Sequence, residues 1–215
     1  LGKIYGRIWE TGVAQGLALA YDAVYPSLGD RELLEYLSNK SKAKLAAADV
    51  RSLIEKNILI ETHDGILRRQ IAGNEGMHQH SMALAAVVLD EPGTTQEWLD
   101  WVFAPGDLLR GDLGGGNILR LFETKIDADG MGNEASPEYN GIWRGKLRAI
   151  SDVLESYPRY SGPRIVDQPK YRKMFETPVR LICLDRYIPL IGDTGKTGAP
   201  SGARLNLSGK EDRDF

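Results

Sequence analysis

Apolar residues recur along most of the chain at intervals of three and four, the spacing that lines one face of a helix. Val13, Leu17, Ala20, Tyr21 and Val24 predict a first helix from about Tyr5 to Tyr25, with those five residues buried. Asp30 can cap a second helix carrying Leu33, Leu34 and Leu37, and Ala46, Val50, Leu53, Ile54 and Ile58 mark a third, followed by a turn at His63, Asp64 and Gly65. A fourth helix should bury Met77, Ser81, Leu84, Ala85 and Val88 and stop before Pro92, because proline cannot continue it. Thr94 with Glu97 reads as a capping box for a fifth helix bearing Trp98, Trp101 and Val102.

The pattern then changes. From Ala104 to Glu134 runs a stretch rich in Gly and Asp, including GDLGGGN and DADGMGN, and loops this long are uncommon unless they serve a purpose. Ser136 as N-cap and Pro137 at the first helical position open a sixth helix, whose stripe is Tyr139, Trp143, Leu147, Ile150 and Leu154. A seventh, with Tyr171, Phe175 and Ile182, should be interrupted at Pro178 and lead into RYIPLIGDTG. Strand alternation is absent, so the expected class is all-α, built of antiparallel helical hairpins. Residues 194–215 hold almost no apolar side chains and read as a polar linker or disordered end.

Composition narrows the function. With 27 Lys plus Arg against 30 Asp plus Glu, the net charge of -3 disfavours nucleic acid as a partner. No apolar run approaches the about 20 residues that span a bilayer, and no signal peptide opens the chain. The lone Cys183 can form neither an internal disulfide nor a thiolate metal site. Starting at Leu1 and ending in a polar tail, the sequence reads as a piece of something longer.

Several residues could carry chemistry, each beside a plainer reading. Asn74 falls in the angular range of the fourth helix's stripe, with His78 one turn further along the same side and His80 on the other edge. Two histidines two residues apart point away from each other and cannot share a metal; the plainer reading is that Asn74 caps the helix and His78 is a hydrogen-bonded buried histidine. Tyr139, in the first turn of its helix, can keep its ring inside and its hydroxyl in a cleft, or be an amphipathic core tyrosine. Trp98, Trp101 and Trp143 could stack on sugars, though tryptophans at helical spacing are more often core. GDLGGGN lacks the Lys-Ser/Thr pair of a phosphate loop. Asp127, Asp129, Glu134 and Glu138 offer carboxylates for acid/base work, or simply complement a helix dipole.

Taken in order, GRIWETGVAQGLALAYDAVYPSL, GNEGMHQHSMALAAVVLD, DADGMGNEASPEYNGIW and PLIGDTG resemble the α/α toroid of the heparinase II/III-like polysaccharide lyases over most of residues 1–193. The resemblance implies an incomplete toroid, followed in the longer protein by a β-sandwich beyond Phe215, with acidic polysaccharide bound between them outside the cytoplasm, in the periplasm or secreted. It implies β-elimination: a proton leaves the carbon beside a uronate carboxylate, the glycosidic oxygen departs, and an unsaturated sugar is left. Asn74 matches the family's carboxylate-stabilising asparagine and Tyr139 its proton-transferring tyrosine. Many relatives carry histidine directly after the asparagine, where this chain has Glu75, so His78, or a histidine from the absent domain, is the expected substitute as a catalytic group. Glu75, His80, Glu134, Trp143, Arg144 and Arg148 are the expected substrate contacts, with Arg7, Arg110 and Arg120 as further basic candidates. No cofactor is expected in this segment, and a structural metal would belong to the β-domain.

Two other readings stay open. An inverting glycoside hydrolase on a similar toroid would use two carboxylates about 6.5 to 9.5 Å apart, such as Asp129 with Glu134 or Glu138. A non-catalytic glycan-binding protein would keep the aromatics and lose a proton-transfer group, as Glu75 in the histidine position suggests.

Overall fold

The computed structural model describes residues 7–134, 136–182, 189, 191 and 192, apart from the side chain of Glu138. Tyr5, Cys183, most of PLIGDTG and the polar segment 194–215 lie outside the described residues, as does the Glu138 carboxylate. Among the described residues the chain is mostly helical, and the only β-type pairings are isolated bridges, Asp107 with Asp112 and Ile126 with Gly132. The all-α class holds at that level. No helix there is long and apolar enough to cross a membrane.

The backbone divides into two compact units: residues 7–117 with 155–162, and residues 118–154 with 163 onward. The first contains α1 (Arg7–Val24), α2 (Arg31–Ser41), α3 (Ala47–Ile54), α4 (Glu61–Leu67), α5 (Met77–Leu89) and α6 (Pro92–Phe103). Helix α5 packs against α1, α4 and α6 and is buried nearly all round, from His78 through Ala86, so it has no single apolar stripe. The second unit contains α7 (Arg120–Thr124), most of α8 (Pro137–Ser156) and α9 (Pro169–Arg180).

Helix α1 buries a different face from the one its large apolar residues mark. Thr11, Ala14, Gln15, Ala18 and Tyr21 are buried, while Val13 is 52% and Leu17 44% exposed, and Ala20 and Val24 also face solvent. The buried polar groups are satisfied by α5: Gln15 Nε2 donates to Ser81 Oγ at 2.9 Å and to the Met77 carbonyl at 3.1 Å, and Ser81 Oγ donates to the Thr11 carbonyl at 3.1 Å. Alanines and satisfied short polar side chains allow close helix approach, and a count of apolar positions does not register them.

Other boundaries shift for local reasons. His63, Asp64 and Gly65 form part of α4, because the π-helical segment Glu55–Ile60 carries the chain from α3 into α4 without a break. Pro92 opens α6 at its first position, ahead of the Thr94 cap expected from sequence; Glu91 is the N-cap residue. Helix α9 continues two residues past Pro178. Asp30 caps α2 as its sequence indicates, accepting from the Leu33 N–H at 3.0 Å.

Candidate functional site

In the first unit, attention falls on the turn Gly73–Gly76 that leads into α5. The N-cap is Gly76, at φ 86°, a conformation glycine adopts without strain. Asn74 therefore stands before the helix, its carbonyl accepting from the Met77 N–H at 3.0 Å and its side chain partly exposed. This corrects both the helical angle and the capping role that sequence assigns to it. A Cβ on Gly73 would lie 2.7 Å from the Met77 sulfur, so a larger residue there would have to displace the methionine side chain.

Gln79, which the sequence reading passed over, fixes the turn from beneath. Fully buried, it accepts from the Gly76 N–H at 2.9 Å and donates to the Gly116 carbonyl at 2.7 Å. The GDLGGGN segment is thereby tied to the start of α5, and its glycines have a packing reason. A Cβ on Gly115 would meet the Ala104 carbonyl oxygen at 2.0 Å, and one on Gly116 would meet Gln79 and Trp101 at 2.9 Å. Nothing in that arrangement asks for a phosphate.

His78 is 2% exposed, its ring edge-on to Trp101 at 6.5 Å, and its Nδ1 has no hydrogen-bond partner among the described residues. Burial pushes its pKa down to about 4, against smaller opposing effects of the Gly73 backbone and the Asp107 charge, so it is neutral at pH 7. A sugar cannot reach it. His80 and Glu75 are half-buried.

The second unit holds the tyrosine segment. Ser136 Oγ accepts from the Tyr139 N–H at 3.4 Å, and Pro137 sits at the first helical position, as the sequence indicates. Asn140 Nδ2 donates to the carbonyls of Glu134 at 3.1 Å and Ser136 at 3.0 Å, which fixes the loop on the first turn of α8. Tyr139 is half-buried beside it. The preceding DADGMGN loop is held on α9: Lys173 Nζ donates to the Ala128 carbonyl at 2.8 Å, Thr177 donates to the Asp129 carbonyl, and a Cβ on Gly130 would strike the Lys173 backbone. The Asp129 carboxylate accepts from the Met131 N–H at 3.0 Å, closing its own turn, and Glu134 is exposed.

Two expected sugar contacts need revision. Trp143 is 1% exposed, packed where Gly132 admits its ring and with the Lys125 ammonium 5.8 Å from the ring centroid, so it is a core residue and cannot stack on a sugar. Arg144 is directed to α9, its Nη1 3.5 Å from the Met174 carbonyl and its guanidinium 5.8 Å from the centre of the Phe175 ring. Arg148 is half-buried and pairs with Asp152 at 3.6 Å, and Arg110, largely exposed, pairs with Asp107 at 3.6 Å. Lys146, seven residues after Tyr139 and so on the same helical face, went unnoticed; burial lowers its ammonium pKa. Its i+7 spacing was the available signal.

Among the described residues, no group of three or more His, Cys, Asp or Glu side chains is placed to hold a metal ion. No protein-family model, curated protein or solved structure matches the chain.

Proposed function

We propose that this chain is the helical catalytic part of a polysaccharide lyase, an incomplete α/α toroid that works with a β-sandwich domain and cleaves a uronate-containing glycan by β-elimination. The observation that carries the reading is the build of the Gly73–Gly76 turn: a partly exposed Asn74 stands just before the N-terminus of α5, in a turn that the buried Gln79 closes at Gly76 while tying the glycine-rich loop to the same helix end. The start of a helix favours negative charge, and an asparagine amide adds a donor without a titratable group.

The chemistry requires such a device. The proton beside an ionised carboxylate is very weakly acidic, so charge building on that carboxylate during abstraction must be met by preorganised donors. Asn74 serves this role. Tyr139 moves the proton at the bond being broken, and a tyrosine near pKa 10 needs cationic neighbours to act as a base at neutral pH. Lys146, on the same helical face, is the candidate for that influence. His78, sealed and neutral, acts as a positioning residue beneath the Asn74 turn rather than as a proton carrier. His80 and Glu75 are the accessible groups left for substrate contact, with Glu134 from the loop before α8. The substrate's location places the protein in the periplasm or outside the cell.

A second reading is favoured by one specific observation. With Glu75 in the place of the family's histidine and His78 out of reach, the second proton-transfer group has no evident owner among the described residues, as in a glycan-binding protein that has lost catalysis. The two separate on one experiment: the protein carrying this chain, incubated with alginate, heparan, chondroitin, hyaluronan and ulvan, produces ultraviolet-absorbing unsaturated ends on at least one of them if it is a lyase, and on none if it only binds.

A further inference from the structure

The other end of α5 carries a pocket that the lyase reading does not use. Its cavity of about 510 Å³ lies wholly in the first unit, beside Val87–Asp90, and is walled by Tyr21, Tyr25, Glu55, Tyr157 and Arg159. Asn74 precedes the first residue of α5 and Asp90 follows its last, so the two places are separated by the whole helix.

The polar groups of this pocket are already ordered. Tyr21 donates to Glu55 Oε1 at 2.6 Å, and Tyr157 donates to Asp90 Oδ1 at 3.1 Å; Asp90 also pairs with Arg159. Each carboxylate is thus held in place while keeping a second oxygen as an acceptor. Tyr21 and Tyr25 meet edge to face at 5.7 Å, and Tyr25 is 41% exposed. Glu55 begins the π-helical segment, a rare geometry found frequently at functional sites.

Charge and ring occupancy select among ligands. Asp22, Glu55 and Asp90 bring three carboxylates to the wall, against the guanidinium of Arg159 there and that of Arg51 on the Tyr25 ring, a balance that still leans acidic and disfavours an anion such as a uronate. An organic cation would compete for tyrosine faces that guanidinium groups already occupy: Arg51 lies 4.2 Å from the centre of the Tyr25 ring, and Arg159 5.0 Å from that of Tyr157. A neutral ring bearing hydroxyls meets neither objection. Its hydroxyls find fixed carboxylate acceptors and a guanidinium donor without needing an open ring face, and the volume lies within the usual range for ligand pockets.

We propose that this pocket is a second glycan-binding site, one that takes uncharged sugar residues and rejects carboxylated ones. It would hold a neutral stretch of a polysaccharide, or a neutral chain beside the one being cut.

The test is calorimetric titration of the chain with cellohexaose, xylohexaose, mannohexaose and chitohexaose, and with trigalacturonate and spermidine as charged probes. At least one neutral hexaose should bind, and Tyr25→Ala and Glu55→Gln should each weaken it by about tenfold. Asp22→Asn, a nearly isosteric change at an exposed position, should weaken it as well. The inference is overturned if no neutral hexaose binds, if all three variants bind as the parent does, or if trigalacturonate or spermidine binds more tightly. The readout is binding alone, so failure of the lyase assignment leaves this result intact, and the reverse also holds.

Discussion

Gln79 and Gly116, 37 positions apart, are joined by a 2.7 Å hydrogen bond from the buried side-chain amide to the loop carbonyl. The same side chain accepts from the Gly76 N–H, so one residue closes the start of α5 and anchors the glycine-rich loop. Gln79→Leu fills similar space but leaves the buried Gly76 N–H and the partly buried Gly116 C=O without this partner. It should destabilise the protein by about 2 to 4 kcal/mol, read as a lower urea midpoint.

Glycines in this chain fall into two groups that mutagenesis should separate. A Cβ at Gly115 would collide with the Ala104 backbone, whereas Gly145, exposed on α8, has nothing within 4 Å of the corresponding point. Gly115→Ala should destabilise by about 3 kcal/mol or prevent folding, because backbone must move to admit the methyl group. Gly145→Ala should stabilise by about 0.5 to 1 kcal/mol, through helix propensity alone. Thermal melts of the two variants beside the parent decide both.

His78 makes stability depend on pH in a defined direction. Its folded pKa is about 4, below the ordinary histidine value of about 6.5, so between those values the unfolded chain binds the extra proton and the folded one does not. This contribution is fully present above pH 6.5 and is lost as pH falls toward 4, with a slope reaching about 1.4 kcal/mol per pH unit. Urea unfolding from pH 7 to pH 4 should reveal it, and in His78→Leu that part of the slope should vanish. An unchanged slope in the variant would assign the effect to other groups.

Much of the helical plan was legible in the sequence, because it is written in local chemistry. The Asp30 cap, the Ser136–Pro137 start of α8 and the stripe from Trp143 through Leu154 all occur where spacing put them. The face of α1 was misread because Thr11, Gln15 and the alanines are buried by pairing with α5, information that lies 60 to 70 positions away. The continuous passage through His63 depends on a π-helical widening that no residue type announces. At the site, Asn74 and Tyr139 were visible as residues, but Gln79 reads in sequence as one polar helical position among several. For Trp143 and His78 burial bears out the plainer core reading over the sugar-contact and catalytic roles, for a shared reason: periodicity places a side chain on a face, and only packing decides whether that face is sealed.

Tyr139→Phe separates catalysis from architecture. The ring stays at the head of the stripe and only the hydroxyl is lost, so the melting temperature should hold within a few degrees. Turnover should fall by about two to four orders of magnitude, with glycan binding much less affected. Unfolding of the variant would assign the hydroxyl to the core instead.

The most direct measurement is the ultraviolet absorbance of unsaturated uronate ends, followed over time with the parent protein and with Tyr139→Phe on the uronate glycan that responds best. The lyase account predicts steady growth of absorbance with the parent and almost none with the variant. Cleavage that yields only saturated reducing ends, or equal absorbance growth from both proteins, would contradict it.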